Sequence, residues 1–149
     1  MADSQKFPVA AHALAYLAHC GAMSPEAAVS SVELAASIPT NPVVIRRVTG
    51  MLAQAGLVAT RSGAHGGAWL LKPADQIGLD QVLRAVAGCA HLGVPPAGAK
   101  GCPVGEKIPE AVGAAIALAD QAAAERLSTI TVADLLADTP QGARPRSCA

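Results

Sequence analysis

Aromatic side chains are almost missing from this 149-residue chain: Phe7, Tyr16 and Trp69 are the full set, 2% of it. Platforms for single-stranded nucleic acid stack bases on aromatic rings, so that mode of recognition is excluded. Net charge is missing too, with 11 Lys+Arg against 11 Asp+Glu. No uncharged apolar run reaches the roughly 18 residues of a membrane span. The start of the chain lacks a basic segment followed by an apolar core and a cleavage site. A cytoplasmic protein without membrane contact is therefore expected. Cysteine is limited to Cys20, Cys89, Cys102 and Cys148. In such a chain these are free thiols, metal ligands or sensors rather than structural disulfides.

What is present is a 52% apolar composition, enough for a core built mostly from Ala, Val, Leu and Ile. The length suits one domain with an extended element attached. The zero net charge hides a segregation. Residues 1–33 sum to −2, whereas residues 34–74 hold Arg46, Arg47, Arg61 and Lys72 with no acid at all. Residues 75–140 sum to −4, and 141–149 add Arg144 and Arg146. An acid-free stretch of this length in a neutral protein points to a face made for a polyanion.

Along the chain, Val9, Ala13, Leu14 and Leu17 fall at helical spacing in a first helix ending near Gly21. Ser30 and Glu33 form a capping box, flanked by Val29 and Leu34 as a staple, at the start of a short second helix that ends before Pro39. Asn41-Pro42 opens a third helix, with Val44, Val48, Met51, Leu52 and Ala55 as its apolar face and Gly56 as its stop. Pro42, Val43, Arg46, Gly50 and Ala53 form the opposite face, small and basic, with Arg47 near the boundary. Leu57–Arg61 and Ala68–Leu71 read as strands around a turn at Ser62–Gly67, with Trp69 in the core beneath it. Three helices and a glycine-tipped hairpin make a winged helix-turn-helix.

Leu79, Val82, Leu83 and Val86 give a further helix closed by Gly88. A Gly- and Pro-rich loop over 88–105 holds Cys89 and Cys102. A long helix from about Glu106 to Leu127 would line up Val112, Ile116, Ala119, Ala123 and Leu127 over roughly 30 Å. So small a domain cannot bury that stripe alone, and a partner helix from a second chain is the economical solution. Thr131 and Asp134, with Ile130 and Leu135, mark a last short helix. The fold class is thus mainly α: a winged helix-turn-helix domain over 1–87, the cysteine loop over 88–105, a dimerisation helix and capping helix over 106–138, and a disordered tail over 139–149.

The stretch SSVELAASIPTNPVVIRRVTGMLAQAGLVATRSGAHGGAWLLKPADQIGLDQVLRAV, residues 30–86, resembles the Rrf-two (Rrf2) family of bacterial winged-helix regulators. The matching pieces are Glu33-Leu34-Ala35, Thr40-Asn41-Pro42, Leu52 to Val58, Gly63 to Gly67 and Leu79 to Val82. Cys102-Pro103-Val104-Gly105 and Ile130 to Leu135 resemble the family's C-terminal part. The likeness covers about residues 5–137. It implies a homodimeric transcriptional regulator, a repressor in this reading. Two winged domains would read the half-sites of a palindromic operator on double-stranded DNA, about 34 Å apart.

On that reading the start of the third helix, at Thr40, Asn41, Pro42 and Val43, meets the duplex with exposed N–H groups. Arg46 reads guanine through its fork, and Arg47 contacts phosphate. Arg61 and His65 flank the wing tip, where Ser62, Gly63, Gly66 and Gly67 let the hairpin enter a minor groove, whose negative potential favours arginine.

Sensing members of the family hold a cluster through three closely spaced cysteines. Here the loop has Cys89 and Cys102 with His91 nearby, short of the roughly four ligands an iron–sulfur cluster needs. Zinc would likewise lack a fourth ligand, so neither a cofactor nor a metal is expected. Redox sensing by Cys89 and Cys102, through a disulfide in the loop or across the dimer, is a stronger use of these thiols than metal binding; the alternative is that all four cysteines are inert. A Cys89–His91 nucleophile pair lacks an orienting third group, and no enzyme is expected. The competing readings are a winged-helix protein-interaction module without DNA binding, and an iron–sulfur-sensing regulator.

Overall fold

The computed structural model describes residues 5–87 and 92–140. Helix α1 (Lys6–His19) buries Ala10, Ala13, Leu14 and Leu17 and packs against three later helices and the hairpin. After a short 3-10 turn at Pro25–Ala27, α2 (Ser31–Ser37) starts at Ser30, whose Oγ accepts the Glu33 N–H at 3.1 Å. The expected capping box is only half made, because the Glu33 carboxylate accepts from the Tyr16 hydroxyl at 3.2 Å. A nearly buried phenol needs a partner more than an exposed backbone N–H does. Burial, and then the Glu33 carboxylate, push the Tyr16 hydroxyl well above its usual pKa.

Helix α3 (Pro42–Gln54) begins as the sequence predicts, with Pro42 in its first turn and Asn41 Oδ1 accepting the Val43 N–H at 2.8 Å. Its buried stripe is Ile45, Val48, Thr49 and Leu52, which keeps Val48 and Leu52 of the expected face and adds Ile45 and Thr49. Val44 and Met51 are half-buried beside it and Ala55 is exposed. Val43-Val44-Ile45 offers two overlapping apolar stripes of helical period, so spacing alone does not choose. Thr49 decides: its hydroxyl donates to the Ile45 carbonyl at 2.9 Å, which lets a polar side chain enter the core satisfied. Gly56, at φ 70°, terminates the helix. The Leu57 N–H reaches the Leu52 carbonyl and the Gly56 N–H the Ala53 carbonyl, both at 3.0 Å.

Strands β1 (Val58–Arg61) and β2 (Gly67–Leu70) pair antiparallel from Val58↔Leu70 to Arg61↔Gly67. Val29 adds an antiparallel bridge to Ala68, with N–H···O bonds of 3.0 and 2.9 Å. Ala68 and Leu70 face the core, and Trp69 lies half-buried on the opposite face, packed against the core's margin.

Helix α4 (Leu79–Ala87) buries Leu79, Val82, Leu83 and Val86, as its spacing predicts. Helix α5 runs from Pro103 to Ser128, 26 residues, or about 39 Å. It starts three residues before the expected position because Pro103 is a first-turn proline rather than a loop residue. It also carries Pro109 inside. The expected single stripe divides. Ile116 and Leu127 are half-buried toward the chain's own domain, together with the buried Asp120, while Val112, Ala119 and Ala123 are exposed. Beyond α5 the chain returns to the domain: Leu79 N–H meets the Ile130 carbonyl, Val132 N–H meets that of Ile77, and Val132 is fully buried. Thr131 and Asp134 form a reciprocal cap, but over a 3-10 turn at Asp134–Leu136 rather than an α-helix. Gly88, Cys89, His91 and the tail from 141 onward lie outside the described residues.

Candidate nucleic-acid interface

Helix α3, the start of α2 and the β1–β2 hairpin enclose a slot of about 470 Å³. Arg46 and Arg61 line it together with Ser31, Thr49, Gly50, Thr60, Ser62, Gly63 and Gly66, and no carboxylate is among its described lining residues. Two guanidinium groups are the charged side chains among its described lining residues.

The arginines are held in place. Arg46 is exposed, and its Nη1 donates to Ser31 Oγ at 3.4 Å, so α2 positions it along the outer face of α3. Arg47 is exposed on the same helix. Arg61 does not project from the wing tip. Its Nη2 donates to the His65 carbonyl at 3.0 Å and to the Pro25 carbonyl at 3.3 Å, bracing the hairpin against the segment after α1. A carboxylate stands near that brace: Glu26 is held below the usual carboxylate range by a hydrogen bond with Ser24 first, with Arg61 contributing less.

The start of α3 presents Asn41 and Val43 as exposed residues, with Thr40 and Pro42 half-buried. Asn41 Oδ1 is committed to its cap. At the wing, Ser62, Gly63 and His65 are exposed, and Gly63 has φ 103°, a conformation that favours glycine. Gly66 and Gly67 admit close backbone, as a tightly turned hairpin requires. A Cβ at Gly66 would lie 2.4 Å from the Arg61 carbonyl oxygen, and one at Gly67 would lie 2.6 Å from that of Val29. Both are required for packing within the hairpin, whatever the wing touches. Gly50 belongs to the outer face expected of the third helix, whereas Ser31 and Thr60 are among the lining residues that sequence reasoning did not single out. Ser31 could have been found from its place just inside the capped end of α2.

Among the thiols, Cys102 is exposed and caps α5, its Sγ accepting the Gly105 N–H at 3.4 Å. Cys20 is half-buried at the end of α1. Cys89 and His91 are outside the described residues. No helix among the described residues is long and apolar enough to cross a membrane.

Residues 3–138 match the profile of a protein family, Rrf2, described as an iron-dependent transcriptional regulator. The chain is 34% identical over 108 residues to YwnA of Bacillus subtilis (strain 168), named as a candidate HTH-type transcriptional regulator; this spans 72% of the chain and 80% of YwnA. A crystal structure of a candidate DNA-binding protein is similar at 31% identity and a TM-score of 0.64, over 88% of this chain and 98% of that one. One of a candidate transcriptional regulator from Lactobacillus plantarum is similar at 29% identity and a TM-score of 0.69, over 89% and 88% of the two chains. Among the described residues, which leave out Cys89 and His91, no group of three or more His, Cys, Asp or Glu side chains is placed to hold a metal ion.

Proposed function

We propose that this chain, which belongs to the Rrf2 family of DNA-binding transcriptional regulators, acts in the cytoplasm as a homodimeric repressor on a palindromic operator. The observation that carries the reading is the arginine-lined slot between α3 and the wing. A recognition helix in the major groove and a wing in the adjacent minor groove would place Arg46 on base edges and Arg47 on phosphate. The exposed start of α3 would meet the groove edge at Val43. Ser62, Gly63 and His65 would meet the minor groove, with Arg61 as the brace that aims them.

Dimerisation is supported by a second apolar face on α5. Val104, Ile108, Val112, Ala115, Ala119 and Ala122 recur at spacings of four or three and are all exposed. This face sits to one side of the stripe that packs on the chain's own domain. A face of this length and composition suits a second copy of the same helix. Repression then follows from a dimer occupying a duplex that polymerase must also occupy. Redox responsiveness of Cys89 and Cys102 belongs to the same proposal, supported by Cys102 being exposed where it caps α5.

The test is duplex binding as a function of salt. Affinity should fall with a log–log slope of about −0.9 for each phosphate engaged. An Ile108→Glu variant should sediment as a monomer and lose most operator affinity. A salt-independent affinity, or a variant that stays dimeric, would refute the corresponding half of the reading. Treatment with peroxide, which joins two thiols as a disulfide and releases water, reads the redox part by the change in affinity it produces.

A further inference from the structure

Gly50 stands nine residues into the thirteen-residue helix α3, at an ordinary helical conformation. A glycine there lowers helix stability relative to alanine through backbone entropy. The fold supplies no reason for it: beyond the local backbone of its own helix, a Cβ built at Gly50 would meet no atom within 4 Å among the described residues. The contrast with Gly66 and Gly67, where an added Cβ would stand 2.4 and 2.6 Å from backbone oxygens, is direct. Yet Gly50 lines the slot, one turn along α3 from Arg46 and across from Arg61 and Ser62 on the wing.

We propose that Gly50 is a positioning residue for DNA: it leaves the slot clear so that one sugar–phosphate strand of the duplex seats between α3 and the wing, flanked by Arg46 and Arg61. This rests on the DNA-binding reading above and adds to it the residue that sets how deeply the strand enters. Stability and binding then oppose one another at this position. A methyl group at residue 50 favours the free helix and keeps the strand from seating fully in the slot. The strand is recognised by its backbone, so the effect is independent of base sequence.

The experiment compares wild type with Gly50→Ala, using a duplex selected by the wild-type protein from a random pool and a scrambled duplex. The expected result is a melting temperature raised by about 2–4 °C and binding weakened on the order of ten-fold on both duplexes, with a shallower salt slope. A variant with raised melting temperature and wild-type affinity would overturn the inference while leaving the DNA-binding reading standing. A lowered melting temperature would overturn it as well, because the glycine would then have a role in the fold. Failure of the wild type to select or bind any duplex would overturn the DNA-binding reading itself, and this inference with it.

Discussion

Replacing Gly67 by alanine should unseat the wing. The added Cβ would stand 2.6 Å from the Val29 carbonyl oxygen, 2.8 Å from its carbonyl carbon and 3.1 Å from its nitrogen. All three are backbone atoms, so no side chain can rotate aside to make room. Relief requires β2 to move away from Val29, which breaks the two N–H···O bonds between Val29 and Ala68. Each such bond contributes about 0.5–1.5 kcal/mol net, and crowding of this kind costs about 1–3 kcal/mol. The smaller conformational entropy of the unfolded alanine chain offsets about 0.4–1 kcal/mol. The expected loss is therefore about 2–4 kcal/mol. In urea this moves the midpoint down by about 1–2 M at an ordinary m-value. Amide exchange gives the local readout, because the Val29 and Ala68 amides should lose protection before those of Val48 and Leu52 on α3. An unchanged midpoint with both amides still protected would refute the reasoning, since the variant would then fit where the geometry says it cannot.

The two slot arginines should separate by phenotype. Arg46→Ala should lower discrimination between operator and scrambled duplex by about 1–3 kcal/mol, whereas Arg61→Ala should weaken both duplexes alike; competition binding checks each. Arg61→Lys should not restore binding, because a single ammonium does not reproduce a guanidinium held between the Pro25 and His65 carbonyls. Asp134 predicts an acid effect. Its carboxylate accepts from the Thr131 N–H and hydroxyl, backbone first, and these bonds hold its pKa below the ordinary value. A depressed folded pKa adds stability above the unfolded value of about 3.9, and that contribution disappears as pH falls through the folded value. Asp134→Asn should flatten this part of the stability profile in melts between pH 2 and 5; an unchanged profile would remove Asp134 as its source.

Local features were legible in the residues because they are decided within a few positions of the chain. Asn41-Pro42 starts α3, Gly56 stops it, and Ser62–Gly66 turns the hairpin, each through backbone geometry that the side chains impose on their neighbours. The acid-free stretch also announced the slot, since charge composition needs no coordinates. The face of α3 was not legible, because its apolar residues fit two stripes equally and the choice hung on Thr49 bonding its own helix. Nor were the roles of the wing glycines, which look alike in sequence. Gly63 has a positive φ, whereas Gly66 and Gly67 admit backbone from Arg61 and from Val29, the latter 38 positions away.

By itself, then, the sequence determined the order and type of the elements, the family, and the basic character of one face. These follow from short-range propensity and from composition. Only the tertiary structure decided which side of α5 stays exposed, that Arg61 braces the wing instead of projecting from its tip, and that Gly50 opens onto a slot rather than onto packed neighbours. Each of those depends on what lies opposite a residue in space. Helical period and charge counting carry no information about that until Val29, α2 and α4 have closed around the core.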